Sequence, residues 1–371
     1  MTYEQLVKPA VLTQPIYEPG RPIADVAREH GLDPSEILKL ASNENPLGPS
    51  PLAIAAAIQA IGDAHLYPDG GTFDLRAKLA QRLGLDPAQI LPTDGSSEAM
   101  QLLAEVFLAP GDEVVMGNYA FVLFKLLTLL ANARPVEVDM PPPTYGHDLG
   151  ALRAAITPRT KIVYLPNPNN PTGSVNSAAE VLAFARSLPS HVILCYDEAY
   201  VEFLPPGQAA DLRPLIAEGR KILCCRTFSK IYGLAGLRVG YGYGPRELIA
   251  LLHRARPPFN VNAVAQAAAL AALDDHAHVA RTVAMNSAGL RQLAAGFDQL
   301  GIEHVPSAGN FVMFRVGDAA RVFAQLQARG VIVRPLGVHA LPEHLRVTVG
   351  DASHNARFLE TLAEVLTPAR R

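Results

Sequence analysis

The strongest constraint on the fold is a regular alternation of helical patterns with short runs of Val, Ile and Leu. Helical patterns fall near residues 51–61, 72–84, 96–108, 119–131, 148–156 and 177–187, and apolar runs near 113–116, 134–138, 161–165, 191–196 and 221–225. Short apolar runs separated by helices are typical of a mostly parallel sheet that is covered on both faces. The sequence therefore predicts an α/β fold.

The patterns at the two ends of the chain differ from this alternation, so the sequence predicts three parts: an arm, a large domain and a small domain. Residues 1–45 are rich in proline, with one short helix near Asp25–His30, and predict an arm that must pack on the small domain and on a partner chain. Residues 46–260 predict a large domain around the sheet. Residues 261–371 predict a smaller α+β domain, with helices near 262–273, 276–299, 318–329 and 353–366 and strands near 309–316, 331–334 and 345–349.

Composition excludes several classes of function. The 371-residue chain has a net charge of -3, which argues against a nucleic-acid partner. Cys195, Cys224 and Cys225 lack the spacing of a zinc site or a disulfide framework, so no metal is expected. The N-terminus has no signal-peptide core, and no apolar run approaches the roughly 20 residues of a membrane span. We expect a cytoplasmic protein without a membrane partner.

A lysine on a small loop is the main candidate for chemistry. The apolar run Lys221–Cys225 leads to Thr227, Ser229 and Lys230, and glycines follow. Because burial disfavours the ammonium form, a lysine among apolar residues loses its proton more easily than one in water. Lys230 is therefore a candidate Schiff-base amine, although an isolated Ser-Lys pair is more often a solvated loop.

Ser229-Lys230, seven further residues and Arg238 resemble the cofactor-lysine segment of the fold-type I pyridoxal-phosphate (PLP) aminotransferases. The resemblance implies a large domain with a mostly parallel sheet, a smaller α+β domain, and PLP bound at Lys230. It also implies that Thr227, Ser229 and Arg238 bind the cofactor. Their hydroxyl and guanidinium groups suit a phosphate.

A second segment suits the same phosphate. Thr93–Glu98 opens a helix, where free N–H groups and the positive end of the dipole attract anions. Gly95, Ser96 and Ser97 would cradle the phosphate. Taken alone, the segment is equally an ordinary helix cap.

Three more motifs match the family in order along the chain. The resemblance implies that Asn170 and Tyr200 reach the phenolic oxygen of PLP and that Tyr119 stacks on its ring. Asp197 follows a strand, at the sheet edge where ligands of open α/β sheets bind, and would keep the pyridine nitrogen protonated. Lys230, Asp197 and Tyr200 are the implied catalytic residues. Separately, these motifs are also ordinary turns, caps and helix starts.

The segment His65-Leu-Tyr67-Pro resembles the one from which a neighbouring subunit donates a tyrosine to the cofactor phosphate. If Tyr67 does this, the protein is a homodimer with shared active sites. A surface turn before Pro68 is the alternative.

Substrate choice is implied by residues at both ends of the chain. Arg334 and Arg346, with Tyr17 and Asn45 of the Asn-Glu-Asn-Pro motif, most resemble the histidinol-phosphate aminotransferases. Two guanidinium groups suit a phosphate that carries nearly two charges. The resemblance implies transfer of an amino group from L-histidinol phosphate to 2-oxoglutarate. Either arginine could instead be a surface residue at a strand end.

Other functions stay open. An aromatic amino-acid aminotransferase or a threonine-phosphate decarboxylase would have the same fold and cofactor. A non-catalytic PLP-fold binding module is disfavoured because it would need neither Lys230 nor Asp197. A nicotinamide-dependent oxidoreductase is disfavoured because no GxGxxG motif follows the first strand.

Overall fold

The computed structural model describes residues 1–14 and 20–367, so the candidate residue Tyr17 lies outside the described part. The strands are β1 (Leu38–Lys39), β2 (Ile90–Thr93), β3 (Glu113–Gly117), β4 (Arg134–Val138), β5 (Thr160–Pro166), β6 (Ile193–Asp197), β7 (Ile222–Thr227), β8 (Gly240–Tyr243), β9 (Phe311–Arg315), β10 (Val331–Ile332), β11 (Arg334–Pro335) and β12 (His344–Thr348). The helices are α1 (Tyr3–Leu6), α2 (Pro9–Thr13), α3 (Ile23–His30), α4 (Pro51–Ile61), α5 (Phe73–Leu83), α6 (Gly95–Phe107), α7 (Val122–Leu130), α8 (Leu149–Ala154), α9 (Ala178–Ser187), α10 (Arg213–Ala217), α11 (Arg246–Ala255), α12 (Ala263–Asp274), α13 (His276–Gln299), α14 (Ala319–Gln327) and α15 (Ala352–Leu366). No helix in the described ranges has the length and apolar character needed to cross a membrane.

The central sheet has seven strands in the order β2-β8-β7-β6-β5-β3-β4. Its neighbours pair in parallel except at β8, which is antiparallel to both β2 and β7. The α/β prediction with a mostly parallel sheet is therefore confirmed. Strands β2 and β8 were not predicted, because Pro92, Gly240 and Gly242 interrupt the apolar pattern.

Apolar side chains on both faces hold this sheet in place. Along β5, Val163 and Leu165 belong to the hydrophobic cluster on one face, while Ile162 and Tyr164 belong to the cluster on the other. Successive side chains of a strand point to opposite faces, so a continuous apolar run fits a strand covered on both sides. The strand ends therefore remain as the positions where polar residues can gather.

Two smaller sheets form near the C-terminal part of the chain. One is antiparallel with the order β11-β12-β9, and in the other β1 pairs in parallel with β10. The predicted single strand 331–334 is thus two strands, because Val331–Ile332 pairs with the arm and Arg334–Pro335 pairs with β12.

The arm differs from its prediction in one respect. The helix expected near Asp25–His30 is α3, but residues expected to be extended also form α1 and α2. Pairing of Leu38 with Val331 joins the arm to the C-terminal strands. The three-part division at residues 45 and 260 stays a prediction.

Candidate active site

A cavity of about 310 Å³ lies at the carboxyl ends of β5, β6 and β7. This edge of an open α/β sheet is the usual position of a ligand. The predicted site residues that line the cavity are Ser96, Ser97, Asn170, Asp197, Tyr200, Thr227, Ser229, Lys230, Arg238, Arg334 and Arg346.

Lys230 is recessed in this cavity. Its Nζ donates to the Ser42 carbonyl at 3.1 Å and lies 5.9 Å from the centroid of the Tyr200 ring. Burial lowers the pKa of Lys230 to about 8, and the positive charge of Arg346 acts in the same direction. A substantial fraction of the amine is therefore neutral near pH 8, as a nucleophile or base requires.

Asp197 is the last residue of β6 and is buried at the same cavity. Its Oδ1 accepts from the backbone N–H of Ala199 at 3.1 Å. Burial raises the pKa of Asp197 to about 7, against the opposing influences of that hydrogen bond and of the Lys230 charge. A cation in the cavity would hold this carboxyl group in its ionised form.

Hydrogen-bond donors gather at the start of α6. Ser96 and Ser97 lie in the first turn of this 13-residue helix, where backbone N–H groups are not used within the helix. Thr227 donates to Ser229 through their hydroxyl oxygens, 2.9 Å apart, and Arg238 completes this wall of the cavity. The arrangement suits a phosphate group.

Two glycines allow the elements of this wall to approach each other closely. A Cβ at Gly95 would lie 2.4 Å from Nη2 of Arg238, and the φ of Gly95 is +69°. A Cβ at Gly240 would lie 2.5 Å from the backbone nitrogen of Ser96. Glycine is therefore required where α6 meets β8 and Arg238.

Tyr200 and Asn170 also line the cavity. Asn43 donates to the Tyr200 hydroxyl at 2.9 Å, and Oδ1 of Asn170 accepts from Arg346. These contacts hold two polar side chains at the cavity. The sequence predicts that both reach the same atom of the cofactor, its phenolic oxygen.

The two predicted arginines are direct neighbours across the β11–β12 pair. Arg334 lies opposite Arg346 in the antiparallel register, which explains why residues twelve positions apart meet at one cavity. Arg346 is third in its five-residue strand, where the sequence predicted a strand start. Its Nη2 donates to the Ala41 carbonyl at 2.8 Å, and its guanidinium carbon lies 5.3 Å from the centroid of Phe311.

The side chain of Asn45 is held by hydrogen bonds within the protein. Its side chain donates to the Ile231 carbonyl at 3.0 Å and accepts from the N–H of Leu47, and it does not line the cavity. The neighbouring Asn43 and Glu44 line the cavity instead. The contact of Asn45 with the substrate stays a prediction.

Tyr119 and Tyr67 also lie away from the cavity lining. Tyr119 packs against Tyr145 with ring centroids 5.9 Å apart. It lies in the turn before α7, since the helix that was predicted from residue 119 begins at Val122. Tyr67 is 82% exposed and stacks on Phe259 at 4.6 Å. The cofactor roles of both tyrosines stay predictions.

The sequence analysis missed several lining residues. Glu44 pairs with Lys39 at 3.0 Å, and its negative charge opposes the lowering of the Lys230 pKa. His339 has a pKa lowered to about 4 by burial and by the charges of Arg346 and Arg334, so its imidazole is neutral. Asn43 and Glu44 belong to a motif already singled out, whereas no local pattern marks His339.

The donor set fits PLP. The serines, threonine and Arg238 would hold the phosphate, Asp197 would accept from the protonated ring nitrogen, and Lys230 would reach the aldehyde carbon. The raised pKa of Asp197 is the sign that this carboxyl group lacks a fully compensating cation. The pyridinium N–H would supply it.

Comparison with known proteins decides the family. A family profile described as aminotransferase class I and II matches residues 35–366, which is most of the chain. The chain belongs to the class I and II aminotransferases. This membership confirms the predicted fold-type I, PLP-dependent aminotransferase.

Individual relatives of this aminotransferase cover nearly its whole length. It is 51% identical over 353 residues to the histidinol-phosphate aminotransferase 1 of Thiobacillus denitrificans, which covers 95% of this chain and 91% of the relative. The structure of histidinol-phosphate aminotransferase from Sinorhizobium meliloti in complex with pyridoxal-5'-phosphate is similar with a TM-score of 0.89 at 29% identity, covering 97% of each chain.

A third relative shows how widely the fold is shared. The aspartate aminotransferase from Thermus thermophilus with maleate gives a TM-score of 0.84 at 25% identity, covering 97% of this chain and 99% of that one. Fold similarity therefore does not select a substrate.

Proposed function

We propose that this aminotransferase moves the amino group of L-histidinol phosphate to 2-oxoglutarate with PLP, giving imidazole acetol phosphate and glutamate in histidine biosynthesis. The observation that carries the proposal is the pairing of Arg334 with Arg346 at the cavity that also contains Lys230 and Asp197. Two guanidinium groups complement a phosphate monoester, and they can also receive the carboxylates of the acceptor. The identity to relatives named for this reaction supports it.

Lys230 is the proton carrier in this proposal. Bound PLP supplies an electron sink for the electron pair that remains when the Cα–H bond of the substrate breaks. The neutral Lys230 amine takes the proton from that carbon and returns it at C4′ of the cofactor. Its pKa of about 8 suits both directions of transfer near neutral pH.

The other residues bind and orient. Asp197 would keep the ring nitrogen of bound PLP protonated, and Asn170 and Tyr200 would donate to its phenolic oxygen. Ser96, Ser97, Thr227, Ser229 and Arg238 hold the cofactor phosphate at the start of α6. By holding the phosphate, these residues would keep the bound cofactor within reach of Lys230.

A homodimer with shared sites belongs to the proposal. Ile54, Ile58 and Ile61 fall on one side of α4 and are exposed, with 68% of Ile58 accessible. A contiguous apolar face of this kind favours association with a second chain. Tyr67, which follows α4, would then reach the phosphate of the neighbouring site. The cytoplasmic location is likewise proposed, and fractionation of cells tests it.

Steady-state kinetics tests the substrate. With 2-oxoglutarate as acceptor, kcat/KM for L-histidinol phosphate should exceed that for phenylalanine by about two orders of magnitude, since phenylalanine has no phosphate to pair with the arginines. A preference for phenylalanine would support an aromatic aminotransferase. Release of carbon dioxide from threonine phosphate would support the decarboxylase.

A further inference from the structure

A charged cluster lies in the interior behind the active site. The carboxylate of Glu198, whose side chain is 1% exposed, accepts from Nε of Arg226 at 2.9 Å and from Nη2 at 3.3 Å. It also accepts from the Tyr243 hydroxyl at 2.7 Å. Glu198 directly follows β6, Arg226 lies near the end of β7 and Tyr243 is the last residue of β8, and these strands are neighbours in the sheet. Together we call the three residues the back-face network.

The side chains of the back-face network lie on the face of β6 and β7 opposite to the side chains of Asp197 and Thr227. Asp197 and Thr227 line the cavity, and Glu198 and Arg226 are their immediate chain neighbours. Because side chains alternate along a strand, each neighbour points to the other face. Tyr243 packs in the hydrophobic cluster of that face. The network therefore touches neither the substrate nor the cofactor.

The back-face network is not the most stable way to fill this space. Moving a carboxylate and a guanidinium group out of water carries a desolvation cost that apolar side chains of similar volume would avoid. What a bidentate ion pair adds is a fixed geometry between the strands that it joins. Here it joins β6 to β7, and the Tyr243 hydroxyl adds β8.

The back-face network is joined through the backbone to two predicted cofactor-binding residues, Asp197 and Thr227. Asp197 is the register partner of Cys225, and the backbone N–H of Glu198 donates to the Cys225 carbonyl at 2.9 Å. The chain then continues through Thr227 to Lys230. A shift of β6 against β7 would thus change the separation between the acid at the ring nitrogen and the groups at the phosphate.

We propose that Glu198, Arg226 and Tyr243 are positioning residues that fix Asp197 relative to Thr227 and the Lys230 loop. The inference rests on the proposed binding of PLP in the cavity. A displacement of about 1 Å from the productive geometry can cost on the order of 100-fold in rate. The back-face network prevents such a displacement while leaving the cavity surface unchanged.

If the network acted on Asp197 through its charges instead, the pH dependence of the absorbance of bound PLP would change differently in the variants. Glu198→Gln leaves a cation near Asp197, whereas Arg226→Met leaves an anion. Charge alone would shift the pH midpoint of the absorbance of bound PLP in opposite directions in the two variants. Loss of position shifts it upward in both, because a ring nitrogen without its acid carries less positive charge. The pair also has charged or titratable neighbours among the described residues, and the single substitutions leave all of them in place. They include Arg82, Tyr196, Glu202, Asp211, Arg213, Cys224, Tyr232 and Tyr241.

The same sheet offers a matched control at its other edge. Glu113, at the amino end of β3, is also 1% exposed on its side chain and accepts from Nε of Arg159 at 3.1 Å and from the Thr157 hydroxyl. Removing its charge breaks an ion pair at the opposite end of the strands from the cavity. Because the Arg159 side chain is 66% exposed, this variant reports the cost of losing a buried carboxylate whose partner stays in water.

The test measures PLP affinity and the pH midpoint of bound PLP for Glu198→Gln, Arg226→Met and Glu113→Gln. We expect the PLP dissociation constant to rise about tenfold or more in the first two, with upward midpoint shifts in both, and to stay near the wild-type value in the third. Arg226→Lys, which keeps the charge but not the bidentate contact, should fall between wild type and Arg226→Met. If the charge variants do not fold, Tyr243→Phe decides, with an expected rise of about threefold.

Unchanged affinity in Glu198→Gln, or midpoint shifts of opposite sign, would overturn the inference while the wild type still binds PLP. Absence of PLP binding by the wild type would overturn the proposed function and this inference together.

Discussion

Gly95 and Arg238 are in such close contact that a single added carbon at Gly95 would lie 2.4 Å from the guanidinium group. Gly95→Ala should therefore displace Arg238 from the phosphate end of the cavity and raise the PLP dissociation constant about tenfold or more. Gly84→Ala is a suitable control, because Gly84 also has a positive φ of +64° but no atom within 4 Å of its added carbon. Equal PLP affinity in the two alanine variants would contradict the assignment of Arg238.

Asp197 makes the cofactor-free protein less stable at high pH. Its pKa is raised from 3.8 to about 7, so the folded protein keeps a proton that the unfolded chain releases. Folding stability is consequently lost as the pH rises between these two values. Asp197→Asn should raise the free energy of unfolding at pH 8 by on the order of 1–4 kcal/mol and change it little at pH 4.

Urea unfolding of the cofactor-free protein at the two pH values checks this prediction. The same substitution should nearly abolish transamination, because a neutral amide cannot keep the ring nitrogen protonated. An Asp197→Asn variant that is less stable than wild type at pH 8 would contradict the role of burial.

Arg334 should affect phosphate-bearing donors selectively. Arg334→Met removes one of the two facing guanidinium groups and should raise KM for L-histidinol phosphate about tenfold or more, with a smaller change for phenylalanine. Arg329→Met, at an exposed arginine 3.7 Å from Glu364, is the control for loss of a positive charge. Similar losses for both donors would indicate that Arg334 acts on the fold.

The exposed face of α4 should control assembly. Ile58→Asp places a charge on the apolar face and should reduce the dimer fraction in sedimentation, together with activity. Leu251→Asp on α11 substitutes another exposed residue, 42% accessible, and should leave both unchanged. Full activity in a monomeric Ile58→Asp protein would argue against shared active sites.

The features that depend on residues close together along the chain were the ones best predicted from the sequence. Asn170, Asp197 and Lys230 each belong to a short motif that follows an apolar strand, so strand order alone gathers them at one edge. The β2–β8 pair was missed because its strands form through tertiary packing against α6, where glycines are needed and apolar residues are few.

Asn43 and His339 line the cavity but were not predicted, for a similar reason. Asn43 and Asn45 occur in one motif, and only the folded backbone decides which faces the cavity; Asn43 has a positive φ of 55° and donates to Tyr200. His339 reaches the cavity through the turn between β11 and β12, a placement that depends on the pairing of Arg334 with Arg346. Neither placement is encoded by residue spacing.

Covalent capture of PLP tests the central assignment most directly. The PLP-loaded protein is reduced with borohydride and digested with trypsin, and the peptides are measured by mass spectrometry. We predict a pyridoxyl group on Lys230, in a peptide spanning 227–238 that trypsin no longer cuts at that lysine. A label on another lysine, or an active enzyme in which Lys230 remains unlabelled, would contradict the account.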